Sequence, residues 1–123
     1  MAMASALHRN GHGKMVSLEI DSEAAKIARE RCTGLPVSIL TLSSLDYTPP
    51  EDIDFVWFDS LADLRPKEFL RFYPRLKSVV AFHDTGPQHT LRPHLDELMA
   101  SGYIRPVYLP TPRGLCLAEV LHR

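Results

Sequence analysis

Short apolar runs alternate with amphipathic stretches along the chain, and their periods separate strands from helices. "KMVSLEI" (residues 14–20), "VSILTL" (37–42), "IDFVWFDS" (53–60) and "SVVAFHDT" (78–85) are rich in β-branched and aromatic residues, so each predicts a strand. The third is the most hydrophobic, and its near-continuous apolar character predicts burial on both faces of a parallel sheet. Between the strands lie helical patterns. "SEAAKIARERC" (22–32) sets Ala24, Ile27, Ala28 and Arg31 in helical register, with Asp21 or Ser22 as cap. Pro66 suits the first turn of a helix "PKEFLRFY", which Pro74 stops. In "TLRPHLDELMASG" (90–102), Leu91, Leu95, Leu98 and Met99 share a face and Gly102 ends the helix. The opening "MASALHRNG" reads as the last turns of a helix, with Gly11 as a left-handed stop.

The pattern changes near the C-terminus. "YIRPVYL" (103–109) carries Pro106, which cannot donate to a ladder and so predicts an edge strand. The turn "PTPRG" then leads into "LCLAEVL" (115–121), and the two runs predict an antiparallel hairpin. Strand–helix alternation closed by a hairpin argues for one α/β domain over residues 1–123. The expected sheet is mostly parallel, of about six strands, with residues 53–60 and 78–85 central and 103–109 at one edge. In such sheets ligands sit at the carboxyl ends of the strands. Those ends carry Glu19 and Asp21, Ser43 and Ser44, Asp59 and Ser60, and His83 with Asp84. Asp21 is better read as a helix cap than as a ligand.

Composition narrows the classes. The chain has 123 residues, enough for a real core, and a net charge of −1 with both signs mixed along it. No basic patch calls for nucleic acid or an anionic membrane surface, and no apolar run is long enough to span a bilayer. "MAMASALHRNGHG" lacks the layout of a signal peptide. Cys32 and Cys116 match no metal spacing and read as free thiols, which fits a cytoplasmic location. His83, His89 and His94 have no zinc spacing. Phe55, Trp57 and Phe58 read as core, and the charges of "RPKEFLRFYPRLK" as a solvated helix face.

The order of these motifs resembles the class I S-adenosylmethionine-dependent methyltransferases, in particular the small O-methyltransferases of the catechol O-methyltransferase type, over nearly the whole chain. The resemblance implies a Rossmann-like sheet and methyl transfer to a small hydroxyl-bearing substrate. It also implies residue roles. "VSLEID" matches the strand whose terminal acid binds the cofactor ribose, at Glu19. "TLSSLD" matches the adenine-contacting turn, at Ser44 and Leu45. "DFVWFDS" and "VAFHDTG" match the strand ends beside the reacting methyl group, at Asp59, His83 and Asp84. Asp59 and Asp84 would suit Mg²⁺, which takes oxygen ligands, keeps waters and could orient a diol. His83 could instead serve as general base, since histidine changes charge near neutral pH.

The chain departs from the family at one place. The usual first strand and its "E-x-G-x-G" turn are missing, and the match begins inside the helix that follows them. That turn brings backbone and helix N-terminal N–H groups to the cofactor. The resemblance therefore implies an N-terminally truncated domain that binds cofactor weakly or not at all. Residues 15–20 and 53–58 would then pair directly, or a second chain would cover the gap; the expected partner is a second copy or another chain. The alternative is a degenerate, non-catalytic module of the same fold that serves binding or assembly, its strand-end groups acting as caps and interface contacts.

Overall fold

The structure is a computed structural model in which residues 1–122 are described. The chain folds as two compact units, Met1–Tyr47 and Thr48–Arg123, each with its own sheet.

The first unit runs α1 (Ala2–Asn10), β1 (Met15–Leu18), α2 (Ser22–Arg31) and β2 (Val37–Leu40). Gly11 closes α1 at φ 76°, and its N–H reaches the carbonyls of Leu7 and His8. A left-handed residue here turns the chain without a Cβ clash, so glycine fits. β1 and β2 pair in parallel from Met15↔Val37 to Leu18↔Leu40. Asp21 caps α2 by accepting the Ala24 N–H at 2.8 Å. Arg29 on α2 donates to the Ile39 carbonyl at 2.9 Å and to the Thr41 hydroxyl at 2.7 Å, tying the helix to the end of β2. The buried position of α2 is Ala25, whereas Ala24 and Ile27 face solvent. The helical register read from the sequence is correct, but the buried stripe lies one position over.

The second unit runs β3 (Ile53–Phe58), α3 (Arg65–Phe72), a short 3₁₀ turn (Tyr73–Arg75), β4 (Leu76–His83), α4 (Arg92–Ala100), β5 (Ile104–Leu109) and β6 (Leu115–Val120). Strand order is β3-β4-β6-β5. β3 and β4 are parallel, while β6 runs antiparallel to both β4 and β5. The hairpin and the edge position of β5 are as the sequence predicts. β4 is interior, but β3 is the other edge of this sheet rather than a central strand.

One face of the sheet is the core. Phe58 stacks on Phe82 with centroids 4.9 Å apart, and Phe69 and Phe72 of α3 close over the pair. Leu95 and Leu98 of α4 are buried with Ile104, Cys116, Ala118 and Val120, while Met99 turns outward. Burying such side chains contributes roughly 1.5–3 kcal/mol each. The other face is much more open. Phe55 is 42% exposed and Trp57 39%, so these two are not core as their strand's hydrophobicity predicts. The period of two sends them to the face opposite Phe58 and Val56. Cys32 and Cys116 are both free; burial pushes the Cys116 thiol up to about 11, leaving it protonated and inert at neutral pH. Among the described residues no helix is long and apolar enough to cross a membrane.

Candidate functional site

In the first unit the predicted cofactor residues follow two parallel strands and so share one end of their sheet. Glu19 comes directly after β1, where its N–H donates to the Leu40 carbonyl at 3.0 Å. Its carboxylate accepts the Asp21 N–H at 3.1 Å, which turns the chain into α2. After β2, the Ser43 hydroxyl accepts the Leu45 N–H at 3.2 Å, and the Ser43 carbonyl accepts that of Asp46 at 3.0 Å. Ser44 and Leu45 lie in this turn, Leu45 with 38% of its surface exposed. A carboxylate, a hydroxyl and an accessible apolar side chain thus stand at one end of this sheet. Gly11 and Gly13 lie between α1 and β1.

In the second unit Asp59 follows β3, His83 ends β4, and Asp84 follows His83. Parallel pairing of β3 with β4 brings these ends together. His83 Nδ1 is 3.0 Å from Asp59 Oδ1 and 3.4 Å from Asp84 Oδ1. The Trp57 ring flanks the imidazole at 5.7 Å between centroids. Asp84 has φ 58°, a left-handed conformation that aspartate tolerates better than most side chains.

Two arginines that the sequence reading passed over organise this cluster. Arg65 was read as part of a solvated face, yet it is 4% exposed, and Glu68 beside it 3%. The Arg65 guanidinium donates to the Ser60 carbonyl at 2.6 Å and to the His83 carbonyl at 2.5 Å, bridging the ends of β3 and β4. Its Nη2 reaches Asp84 Oδ2 at 3.3 Å and stands 3.8 Å from Asp59 Oδ1. Glu68 accepts the Ser60 hydroxyl at 2.7 Å. The sequence carried a signal for this. Arg65, Glu68, Phe69 and Phe72 are spaced i, i+3, i+4, i+7, so both charges sit on the stripe that buries two phenylalanines.

Arg113 comes from the β5–β6 turn. Its Nε donates to Asp84 Oδ1 at 2.6 Å, a short charge-assisted bond. The turn is held in place by the backbone. Gly86 N–H donates to the Arg113 carbonyl at 3.0 Å, and Thr85 N–H to the Gly114 carbonyl at 3.4 Å. The approach is so close that a Cβ on Gly114 would lie 2.1 Å from Gly86 N. Gly114 also has φ 82°, so glycine is required there on two counts. The Arg113 bond holds the Asp84 carboxyl down to about 2, working with Arg65 and His83 against the cost of burial. In turn, Asp84 raises the Arg113 guanidinium further above its ordinary value. His89 Nε2 is 3.8 Å from Asp84 Oδ1, too long for a direct hydrogen bond, and is buried without another partner.

Asp59, His83 and Asp84 each offer a ligand atom, all within 4.8 Å of one another. Mg²⁺ binds oxygens at about 2.0–2.1 Å in octahedral geometry and is held mainly by carboxylate charge. Here both Asp84 oxygens are already engaged by guanidiniums. The two aspartates are matched in charge by two arginines. Unit charges about 4 Å apart interact by about 4 kcal/mol at an effective dielectric of 20, so a divalent ion would meet repulsion comparable to its attraction. The donor set as it stands does not suit Mg²⁺. Two concave parts of the surface are lined by other residues. One is bounded by Asp52, Pro74, Arg75, Leu76, Lys77 and His122, at the opposite end of β4. A second lies along α2 at Ala24, Ile27 and Arg31.

No protein-family model and no curated protein sequence matches the chain. Solved structures do. The O-methyltransferase from Bacillus cereus in complex with SAH superposes with a TM-score of 0.76 at 19% identity, over 89% of this chain and 63% of that one. The O-methyltransferase TomG from Streptomyces achromogenes in complex with SAM gives 0.75 at 19% identity, with the same coverage. The SAM-dependent O-methyltransferase from Thermotoga maritima gives 0.74 at 18% identity, over 99% of this chain and 56% of that one. The chain thus spans less than two thirds of the length of these proteins. Over that span, it has the α/β, Rossmann-like fold of the S-adenosylmethionine-dependent O-methyltransferases.

Proposed function

We propose that residues 1–123 act as an S-adenosylmethionine-dependent methyltransferase-like domain for a small hydroxyl-bearing substrate. The reading is carried by polar groups gathered at strand carboxyl ends in a fold shared with O-methyltransferases. Glu19 is the group for the ribose hydroxyls, and Ser44 and Leu45 for the adenine. The bound cofactor supplies an electrophilic methyl on a sulfonium. Asp59 orients His83 through Nδ1, which leaves the far ring nitrogen free to take the substrate hydroxyl proton as the oxygen attacks. Trp57, half exposed beside His83, offers an apolar wall for the substrate. Asp84, charged through the whole neutral range, fixes the electrostatics of the strand ends. The free thiols accord with a cytoplasmic setting.

Cofactor affinity is weak in this proposal. Hydrogen bonds to a charged group contribute about 1.5–3 kcal/mol each, well short of the −8 kcal/mol of micromolar binding. A second copy or another chain completes the site and covers the edge of β3 that pairs with no described strand. Titration calorimetry with S-adenosylhomocysteine tests the assignment. Weak binding lost in Glu19→Ala supports it, and no heat at millimolar ligand removes it for this chain alone. Light scattering tests the assembly: a stable soluble monomer at micromolar concentration counts against it.

One observation favours a second reading, a non-catalytic module of the same fold. The two arginines on Asp84 are what a purely structural strand-end acid would have.

A further inference from the structure

The acids at the ends of β3 and β4 form a set that could ligate a cation, yet a cation is already there. Asp84 Oδ1, which lies 3.4 Å from His83 Nδ1, is the atom that accepts the Arg113 Nε–H at 2.6 Å. A metal joining Asp84 to His83 would have to displace that guanidinium. The side chain is not there by accident of the surface. Its backbone is fastened to the turn after β4 by the Gly86 N–H bond, and Gly114 permits the contact. Arg65 holds the opposite oxygen from inside the unit, so the carboxylate is gripped from both sides. The two arginines differ in one respect: Arg65 is buried and bridges two strands, whereas Arg113 reaches in from an exposed turn with 61% of its side chain accessible.

We infer that Arg113 is a tethered cation standing where this site would otherwise take a divalent ion. Asp59, His83 and Asp84 are metal-free while it is in place, and they become a divalent-cation site when its guanidinium is removed. The inference rests on the ion-pair geometry and not on the methyl-transfer reading, so either can fail without the other. It makes Arg113, and not a metal, the cation that an anionic ligand would meet at these strand ends. A planar guanidinium with N–H groups beyond Nε can donate to such an anion in a fork geometry.

Manganese titration followed by electron paramagnetic resonance of the free aqua ion tests this directly, using Mn²⁺ alone as the probe. The wild-type chain is expected to leave the free-ion signal unchanged up to about millimolar metal. Arg113→Ala is expected to bind Mn²⁺ at least about tenfold more tightly, a change equivalent to about 1.4 kcal/mol. Adding Asp84→Asn to that variant is expected to abolish the gain. Arg113→Gln serves as a second form in case the alanine variant loosens the turn, with circular dichroism checking the fold of each. Two results overturn the inference: submillimolar Mn²⁺ binding by the wild type that Asp84→Asn removes, or folded Arg113 variants that bind no better than the wild type.

Discussion

The strand ends of the two units carry the same kind of residue and treat it in opposite ways. Glu19 follows β1, is half-buried, and its carboxylate accepts a backbone N–H two residues on. Asp84 follows β4 and is held by Arg65 and Arg113, with His83 and His89 within 4 Å. An acid kept for a ligand has spare acceptor capacity and little to do with the fold. An acid wired into a buried network contributes to the fold and leaves little for a ligand. This contrast supports the proposal that Glu19 binds a ligand, while Asp84 is a fixture of the scaffold beside His83.

Arg65 should break the contrast most severely. Arg65→Ala leaves Asp84 and two strand-end carbonyls without their buried donor, and removing one partner of such a pair costs about 3–5 kcal/mol. Urea unfolding should show this, and Arg65→Lys should recover only part, since a lysine cannot bridge three acceptors in one plane. Next comes Gly114→Ala, which forces a Cβ into the Gly86 backbone and strains a positive φ, for about 2–3 kcal/mol by the same assay.

A smaller effect appears on acidification. Asp84 ionises at about 2, below its ordinary 3.8, so its stabilising share is complete above pH 4 and disappears as pH falls from there to 2. In Arg113→Ala the largest cause of the depression is gone, so Asp84's share should be smaller and its loss, still beginning near the ordinary 3.8, should finish at higher pH. Unfolding midpoints measured between pH 2 and 5 would show the shift. Glu19→Ala should do least to stability, within about 0.5 kcal/mol, while removing whatever S-adenosylhomocysteine binding the chain has. A large destabilisation by Glu19→Ala would erase the distinction between the two strand ends.

Much of the fold was legible because its causes are local. The Asp21 cap, the Gly11 stop, the Pro106 edge strand and the hairpin after it each follow from a few neighbouring residues. The candidate site was legible only in outline. Asp59, His83 and Asp84 stand at strand ends by periodicity alone, and parallel pairing joins them. Their partners were not visible. Arg65 is 19 residues from Asp84, and Arg113 is 29 residues away in a turn whose residues announce only a turn. The burial of α3's charges was detectable from their place on its phenylalanine stripe, but the charges themselves argued for solvent.

Hydrophobic period and turn chemistry, acting over three to seven neighbours, were enough to order the strands and helices and to put acids at the strand ends. They could not decide that β3 forms an edge, that Phe55 and Trp57 stay open, or that two guanidiniums close on Asp84. Those outcomes depend on which distant segments pack together. A charge becomes affordable in the interior only when its counter-charge arrives with it, and only the tertiary structure brings the two to one place.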